Sequence, residues 1–234
     1  MRKAIRIGVD IGGTFTDVAL EDGRQCVTAK VLTTPEAAEN GVLAALDEAT
    51  RRAGVEPPEV GLIIHGTTLA TNALIERSGA RTALLTTEGF RDVLEMGTES
   101  RFEQYDLGMQ KPPPLIPRRH RFVVRERVGA DGRVLRPLEA ADLEALVPRI
   151  EAAGSESLAI AFLHSFAHPD HEELAAEVLS RALPGLWLSL SSQVSPEIRE
   201  YERFSTTAAN AYVQPLVAGY LERLRHGLDA AGFA

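Results

Sequence analysis

The chain has 234 residues, 44% of them hydrophobic and 25% charged, with a formal net charge of −8 at pH 7. That balance fits a soluble globular protein with one large or two small cores, and the acidic excess argues against nucleic acid as the main partner. Apolar runs stay short of membrane-spanning length, and a single cysteine, Cys26, excludes internal disulfides and thiolate metal clusters and points to a reducing cytoplasm.

The first apolar run, Ile5 to Val9, begins within a few residues of Met1, so no secretory leader is expected. It leads into Asp10-Ile11-Gly12-Gly13-Thr14-Phe15-Thr16-Asp17 and then Val18-Ala19-Leu20, a second strand. A strand that ends in a carboxylate and turns through two glycines into hydroxyl residues has the parts of a phosphate loop. Glycine lets the backbone approach a ligand closely, and the exposed amides can form an anion-binding concavity. Thr14 and Thr16 add hydroxyls, and Asp10 can hold a hydrated Mg²⁺. Lysine occurs only at positions 3, 30 and 111, so a Walker loop is absent. The dinucleotide fingerprint needs three spaced glycines opening a helix, whereas here the glycines join two antiparallel strands. A plain Gly-Gly hairpin turn is the competing explanation; the flanking Asp10, Thr14, Thr16 and Asp17 favour phosphate binding.

Cys26 to Leu32 continues as a third strand. Thr34-Pro35-Glu36 gives a helix start, and Ala38, Val42, Leu46 and Ala49 mark one buried face of a helix ending near Gly54. Val60 to His65 lacks alternation, as expected for a strand covered on both faces. Thr67 to Arg77 is expected to be a helix stopped by Gly79, and Thr82 to Thr86 a buried strand. Three strands, helix, strand, helix, strand is an RNase H-like plan, a hairpin meander leading into βα crossovers. Beyond Pro112-Pro113-Pro114, a basic run (Arg118, Arg119, Arg121, Arg125, Arg127) surrounds Phe122-Val123-Val124. It fits an exposed strand with arginines guarding its edge better than a patch for an anionic ligand.

Leu138 to Ala153 (helix), Leu158 to Leu163 (strand), His171 to Leu183 (helix) and Leu186 to Leu190 (strand) form an additional α/β subdomain. Ser195-Pro196-Glu197 opens a further helix, and Leu216, Tyr220, Leu224 and Leu228 recur along the last one. The expected organisation is residues 1–110 as the phosphate-binding lobe, 111–194 as the inserted subdomain and 195–234 as C-terminal helices leading toward a second lobe. No second Asp-x-Gly-Gly loop occurs, so the sequence carries half of a nucleotide site.

Two further groups carry chemistry. His65-Gly66-Thr67-Thr68-Leu69-Ala70-Thr71-Asn72 lies at the end of a buried strand and the start of a helix, where open α/β sheets place ligands. Amides of Gly66, Thr67 and Thr68 at the helix N-terminus offer an anion site, and His65 can exchange a proton near neutrality. Equally, Thr67 can simply cap the helix and His65 be a hydrogen-bonded core residue. His164, His168 and His171, with Asp170, Glu172 and Glu173, are the densest ligand-type cluster. Pro169 favours a break between them, which leaves the acids as first-turn partners of the helix dipole and argues against a metal.

The Asp10–Asp17 loop, the stretch from His65 to Arg77, and Thr86-Thr87-Glu88-Gly89-Phe90-Arg91-Asp92-Val93-Leu94 resemble the N-terminal region of the hydantoinase A/5-oxoprolinase family. So do Phe162 to Pro169 with His171-Glu172, and Ser195 to Arg203 leading to Asn210-Ala211-Tyr212-Val213-Gln214-Pro215. Acetone carboxylase β-type subunits are similar, and the superfamily is that of acetate and sugar kinases, heat-shock chaperones and actin. The resemblance implies ATP-dependent opening of a cyclic amide or imide, with ATP phosphorylating the amide oxygen before water attacks. It implies that Asp10 positions Mg²⁺ and that Gly12, Gly13 and Thr14, within a loop including Phe15, Thr16 and Asp17, cradle the transferred phosphate. His65, Thr67, Thr68 and Asn72, with Gly66, would line the reacting end, with Asp10, His65 and Thr68 in catalytic roles. Arg91 and Asp92 match the pattern without an assigned role. Family members continue past the equivalent of Ala234 into a lobe with another glycine-rich phosphate loop, so a partner, such as a hydantoinase B-type subunit, and that lobe are expected to complete the site. The alternatives are a small-molecule kinase of the same superfamily and a non-catalytic binding module.

Overall fold

Alternation of apolar and polar residues makes the first stretch an antiparallel meander in a computed structural model of the chain, which describes residues 5–34, 37–98, 103 and 105–233. Strands β1 (Ile5–Ile11), β2 (Phe15–Glu21) and β3 (Cys26–Leu32) pair in that order. Ile7, Val9, Ile11, Val18, Leu20 and Ala29 turn to one face and are buried, as a period of two requires. Helix α1 (Ala38–Ala53) presents Val42, Ala45, Leu46 and Ala49 to that face and ends at Gly54, whose φ of +65° is the left-handed conformation glycine supplies. Residues 35 and 36, where its start was expected, lie outside the described residues. Strand β4 (Val60–Thr67) runs parallel to β1, giving the order β3-β2-β1-β4. It is not covered on both faces, because Leu62 is 48% and Ile64 58% exposed. Helix α2 (Leu69–Glu76) stops at Arg77, itself at φ +57°, two residues before the expected Gly79.

The chain divides into two compact units, Met1–Glu76 with Leu216–Ala234, and Arg77–Pro215. This partition differs from the limits at 110 and 194 expected from the order of elements and the proline-rich loop. Strand β5 (Thr82–Thr87), placed by the sequence in the first lobe, pairs with strands of the second unit. After α3 (Val93–Met96) come β6 (Arg121–Val124) and the short antiparallel pair β7 (Arg127–Val128) and β8 (Val134–Arg136). The single helix expected from Leu138 to Ala153 is broken into α4 (Ala140–Glu144) and α5 (Val147–Ala152), with Pro148 at the start of the second. Strand β9 (Ser157–Ala161), helix α6 (Asp170–Ala182) and strand β10 (Trp187–Leu190) follow as expected within a few residues. The resulting sheet, β10-β9-β5-β6, is parallel throughout. The expected exposed strand at Phe122 is instead a largely buried edge, since Arg121 is only 2% exposed.

Helix α7 (Ser191–Val194) precedes α8 (Glu200–Ala230). α8 begins later than the Ser195-Pro196-Glu197 signal suggested, after Arg199 at φ +77°. Phe204, Ala208 and Ala211 of α8 join the core of the second unit, and Tyr220 and Leu224 that of the first. Among the described residues no helix is long and apolar enough to cross a membrane.

Candidate functional site

The β1–β2 hairpin closes where the sequence places it. The Gly12 amide donates to the Phe15 carbonyl at 2.9 Å, and a Cβ on Gly12 would stand 3.2 Å from that oxygen. Gly13 faces open space and Thr14 is exposed. Asp10 opposes Asp17 across the two strands, on the face away from the core. Like charges directly opposite are unfavourable, and the structure offsets only one of them. Lys30 on β3 donates to both Asp17 oxygens at 2.9 Å and stands 4.8 Å over the Phe15 ring. Asp10 has no such cation among the described residues, so its carboxylate suits a hydrated divalent ion. An open hollow of about 750 Å³ on this face is lined by Asp10, Asp17, Lys30, Arg52 and Ile64 among others.

Thr16 departs from its expected place. It lies on the core side and is 0% exposed, so its hydroxyl braces the loop instead of facing a phosphate. Thr33, just after β3, donates its Oγ1 proton to the Gly12 carbonyl at 2.9 Å. Thr16 Oγ1 and Thr33 Oγ1 are 3.0 Å apart, and since a hydroxyl has one proton, Thr16 is the donor there. The Thr33 amide also donates to the Thr14 carbonyl at 2.9 Å. Helix α1 comes against this brace at Gly41, where a Cβ would lie 3.2 Å from Thr16 Oγ1.

The parallel register of β1 and β4 sets Gly66 beside Asp10 and Thr67 beside Ile11. A Cβ on Gly66 would be 3.7 Å from Asp10 Oδ1, so glycine keeps the surroundings of that carboxylate open. Gly66 and Thr67 lie within the ladder and not at a free helix N-terminus. Thr67 Oγ1 accepts the Leu69 amide at 3.1 Å and Thr68 Oγ1 accepts from Asn72 Nδ2 at 3.3 Å. The Thr67 hydroxyl thus holds the first turn of α2 and the Thr68 hydroxyl the Asn72 side chain, and both remain exposed.

His65 pairs in register with buried Val9 and turns to the core face, opposite to Asp10. Its Nε2 is 2.8 Å from the Tyr220 hydroxyl. Burial, helped by the Glu39 charge, pushes the Tyr220 hydroxyl up to about 12, so Tyr220 donates and His65 Nε2 accepts. Burial also depresses the His65 imidazole, with the Asp10 charge and the Val9 carbonyl opposing; the ring is neutral with its proton on Nδ1. Glu39 accepts from Arg223 Nε at 2.7 Å. Burial alone would raise the Glu39 carboxyl, but that bond and charge hold it below its usual range.

The remaining candidates lie in the second unit. Arg118 donates to both oxygens of Asp92 at 2.9 and 3.1 Å, which holds that carboxyl low, and Arg91 reaches the Arg118 carbonyl at 3.4 Å. Both residues therefore anchor the segment entering β6. The three histidines go to separate neighbours: His171 to buried Glu126 at 2.7 Å, His168 against Gly132, and His164, at φ +61°, beside Phe166. Sequence reasoning passed over Lys30, Thr33 and Tyr220. The hairpin register alone could have placed Lys30 opposite Asp17, whereas Thr33 belongs to no local pattern and the apolar period that includes Tyr220 says nothing of His65.

Residues 6–183 match the family described as hydantoinase/oxoprolinase N-terminal region. The caprolactamase subunit alpha of Pseudomonas jessenii is 35% identical over 95% of this chain and 33% of its own length. The solved structure of the ATP-dependent caprolactamase from that organism superposes with a TM-score of 0.85, covering 97% of this chain and 34% of its own. The 5-oxoprolinase of Saccharomyces cerevisiae is 31% identical over 97% of this chain and 21% of its own length. The chain thus spans a fifth to a third of the curated relatives it matches.

Proposed function

Because this chain belongs to the hydantoinase/oxoprolinase family, we propose that it forms the phosphate-binding lobe of an ATP-dependent enzyme that opens a cyclic amide. The observation that carries the reading is the Asp10 carboxylate, without a cation among the described residues and set beside the open Gly12-Gly13 turn and Gly66 by the strand register. ATP with Mg²⁺ would supply the phosphoryl group that, placed on the amide oxygen, turns a poor electrophile into one that water can attack, so that the ring C–N bond can break. Asp10 would hold the hydrated Mg²⁺, and the amides of Gly13 and Thr14 would face the phosphate oxygens. Thr67 and Thr68 offer hydroxyls at the adjoining strand end. His65 acts from behind this face: bonded to Tyr220, it ties the end of β4 to the core and serves as a positioning residue. A partner of hydantoinase B type and the remainder of the relatives' length would complete the substrate side, in the cytoplasm.

The test compares Asp10 with Asp10→Asn, first in this chain by calorimetric titration with Mg·ATP, then in a polypeptide extended to the relatives' length with its partner subunit. We expect Mg·ATP affinity to fall by at least about tenfold and lactam- or hydantoin-stimulated ATP hydrolysis to be lost. The variant should fold, because it removes a repulsion with Asp17. Unchanged Mg·ATP binding, or an extended protein that hydrolyses no ATP with any lactam or hydantoin, would sink the reading. Release of a stable phosphorylated product, read by phosphorus NMR, would make it a kinase.

A further inference from the structure

The basic run from Arg118 to Arg127 is sorted by its partners. Arg118 pairs with Asp92, Arg121 with Glu95, and Arg125 with Glu88, while Arg127 donates to the Glu88 carbonyl. Arg119 is left over: among the described residues no carboxylate lies within ion-pair reach of it, and the same holds for Arg81. Both line a pocket of about 500 Å³ in the second unit, with His120, Glu156, Leu115 and Tyr212 on its walls. It lies where β5, β6 and β9 begin, at the amino ends of the parallel strands.

Several features hold this arrangement. Gly154 takes φ +61°, and a Cβ there would stand 2.6 Å from an Arg81 Nη1, so the guanidinium rests against bare backbone. Glu156, a carboxylate on the wall, already accepts the Arg81 amide at 2.7 Å. His120 senses both cations: burial first, then the charges of Arg119 and Arg81, depress its imidazole. The pocket is therefore concave, cationic and short of negative charge, with an apolar side.

We propose that this pocket binds a small phosphate-bearing anion, held by Arg81 and Arg119 with His120 as a further polar contact, any organic part lying against Leu115 and Tyr212. Guanidinium groups are well matched to phosphate oxygens. The site is built from the second unit alone and does not rest on the function proposed above.

The test is calorimetric titration of the 234-residue chain with inorganic phosphate and with phenyl phosphate, ionic strength matched by sodium chloride, with the His120 ring signals followed by NMR. Saturable binding is expected, with a shift of the His120 signals. Arg119→Gln, at an exposed side chain, should melt at the same temperature yet bind at least about tenfold more weakly. Tighter binding of phenyl phosphate assigns the site to monoesters, and equal or weaker binding assigns it to free phosphate. No saturable heat above the chloride control overturns the proposal. So does binding that leaves the His120 signals in place, or that survives both Arg119→Gln and Arg81→Gln unchanged.

Discussion

Tyr220 keeps its proton up to about pH 12, and that property fixes His65 as an acceptor at Nε2. A pH dependence follows. The folded imidazole is depressed below its ordinary value, so as pH falls the unfolded chain takes up the proton first. The stability contributed by neutral His65 is fully present above about pH 6.5 and is lost progressively below it, by at most about 1.4 kcal/mol per pH unit. His65→Asn should lower stability at every pH, through the lost Tyr220 bond, and flatten the change between pH 7.5 and 5.5. Urea midpoints at several pH values check this, and an unchanged slope would show that His65 does not titrate as described. Position 65 also marks the limit of the sequence. Asp10 and the glycines were legible because their turn is made by adjacent residues. The face His65 takes depends on pairing with β1, including a register shift between Ile5 and Arg6, and on a tyrosine 155 positions away.

At the scale of elements, the phosphate hairpin is shaped by a residue outside it. Thr33 bonds three of its groups, the Gly12 carbonyl, the Thr14 carbonyl and the Thr16 hydroxyl. Thr33→Val keeps the shape and the amide bond but removes the hydroxyl, leaving Thr16 Oγ1 buried without an acceptor. The expected cost is about 1–3 kcal/mol, measured by urea unfolding, with faster amide hydrogen exchange at residues 12–16. Thr33→Ser should recover most of it; a Thr33→Val chain as stable as the parent would dismiss the brace. The elements themselves were mostly legible, since the meander, α1 and α6 follow their hydrophobic periods. The partner of β5 was not. Thr82–Thr87 is buried at all six positions, and a strand buried on both faces carries no alternation to say which sheet it joins. Likewise α8 starts where Arg199 turns left-handed, a backbone event with no sequence signal in a non-glycine residue.

At the scale of the whole molecule, the first unit is discontinuous: Met1–Glu76 is completed by Leu216–Ala234. Pro215, inside α8, sits at the division; lacking an amide proton, it cannot donate the usual helical bond there. Beyond it Tyr220, Leu224 and Phe233 are 2%, 6% and 8% exposed within the core of Ile7, Val9 and Leu46. Each large buried side chain contributes about 1.5–3 kcal/mol, so together they approach the whole stability of a typical domain, about 5–15 kcal/mol. The second unit draws its core from residues between Arg77 and Pro215 and needs none of them. A chain ending at Pro215 should therefore lose the first unit and keep the second. In NMR spectra the signals of residues 5–76 should collapse to unfolded positions while those of β5, β9 and α6 stay dispersed, and limited proteolysis should yield a fragment beginning near Arg77. If residues 5–76 remained dispersed after that truncation, the last turns of α8 would be a covering and not part of the core. The Asp10 hairpin would then stand on β1 to β4 and α1 alone, a reading that the burial of Tyr220 against His65 opposes.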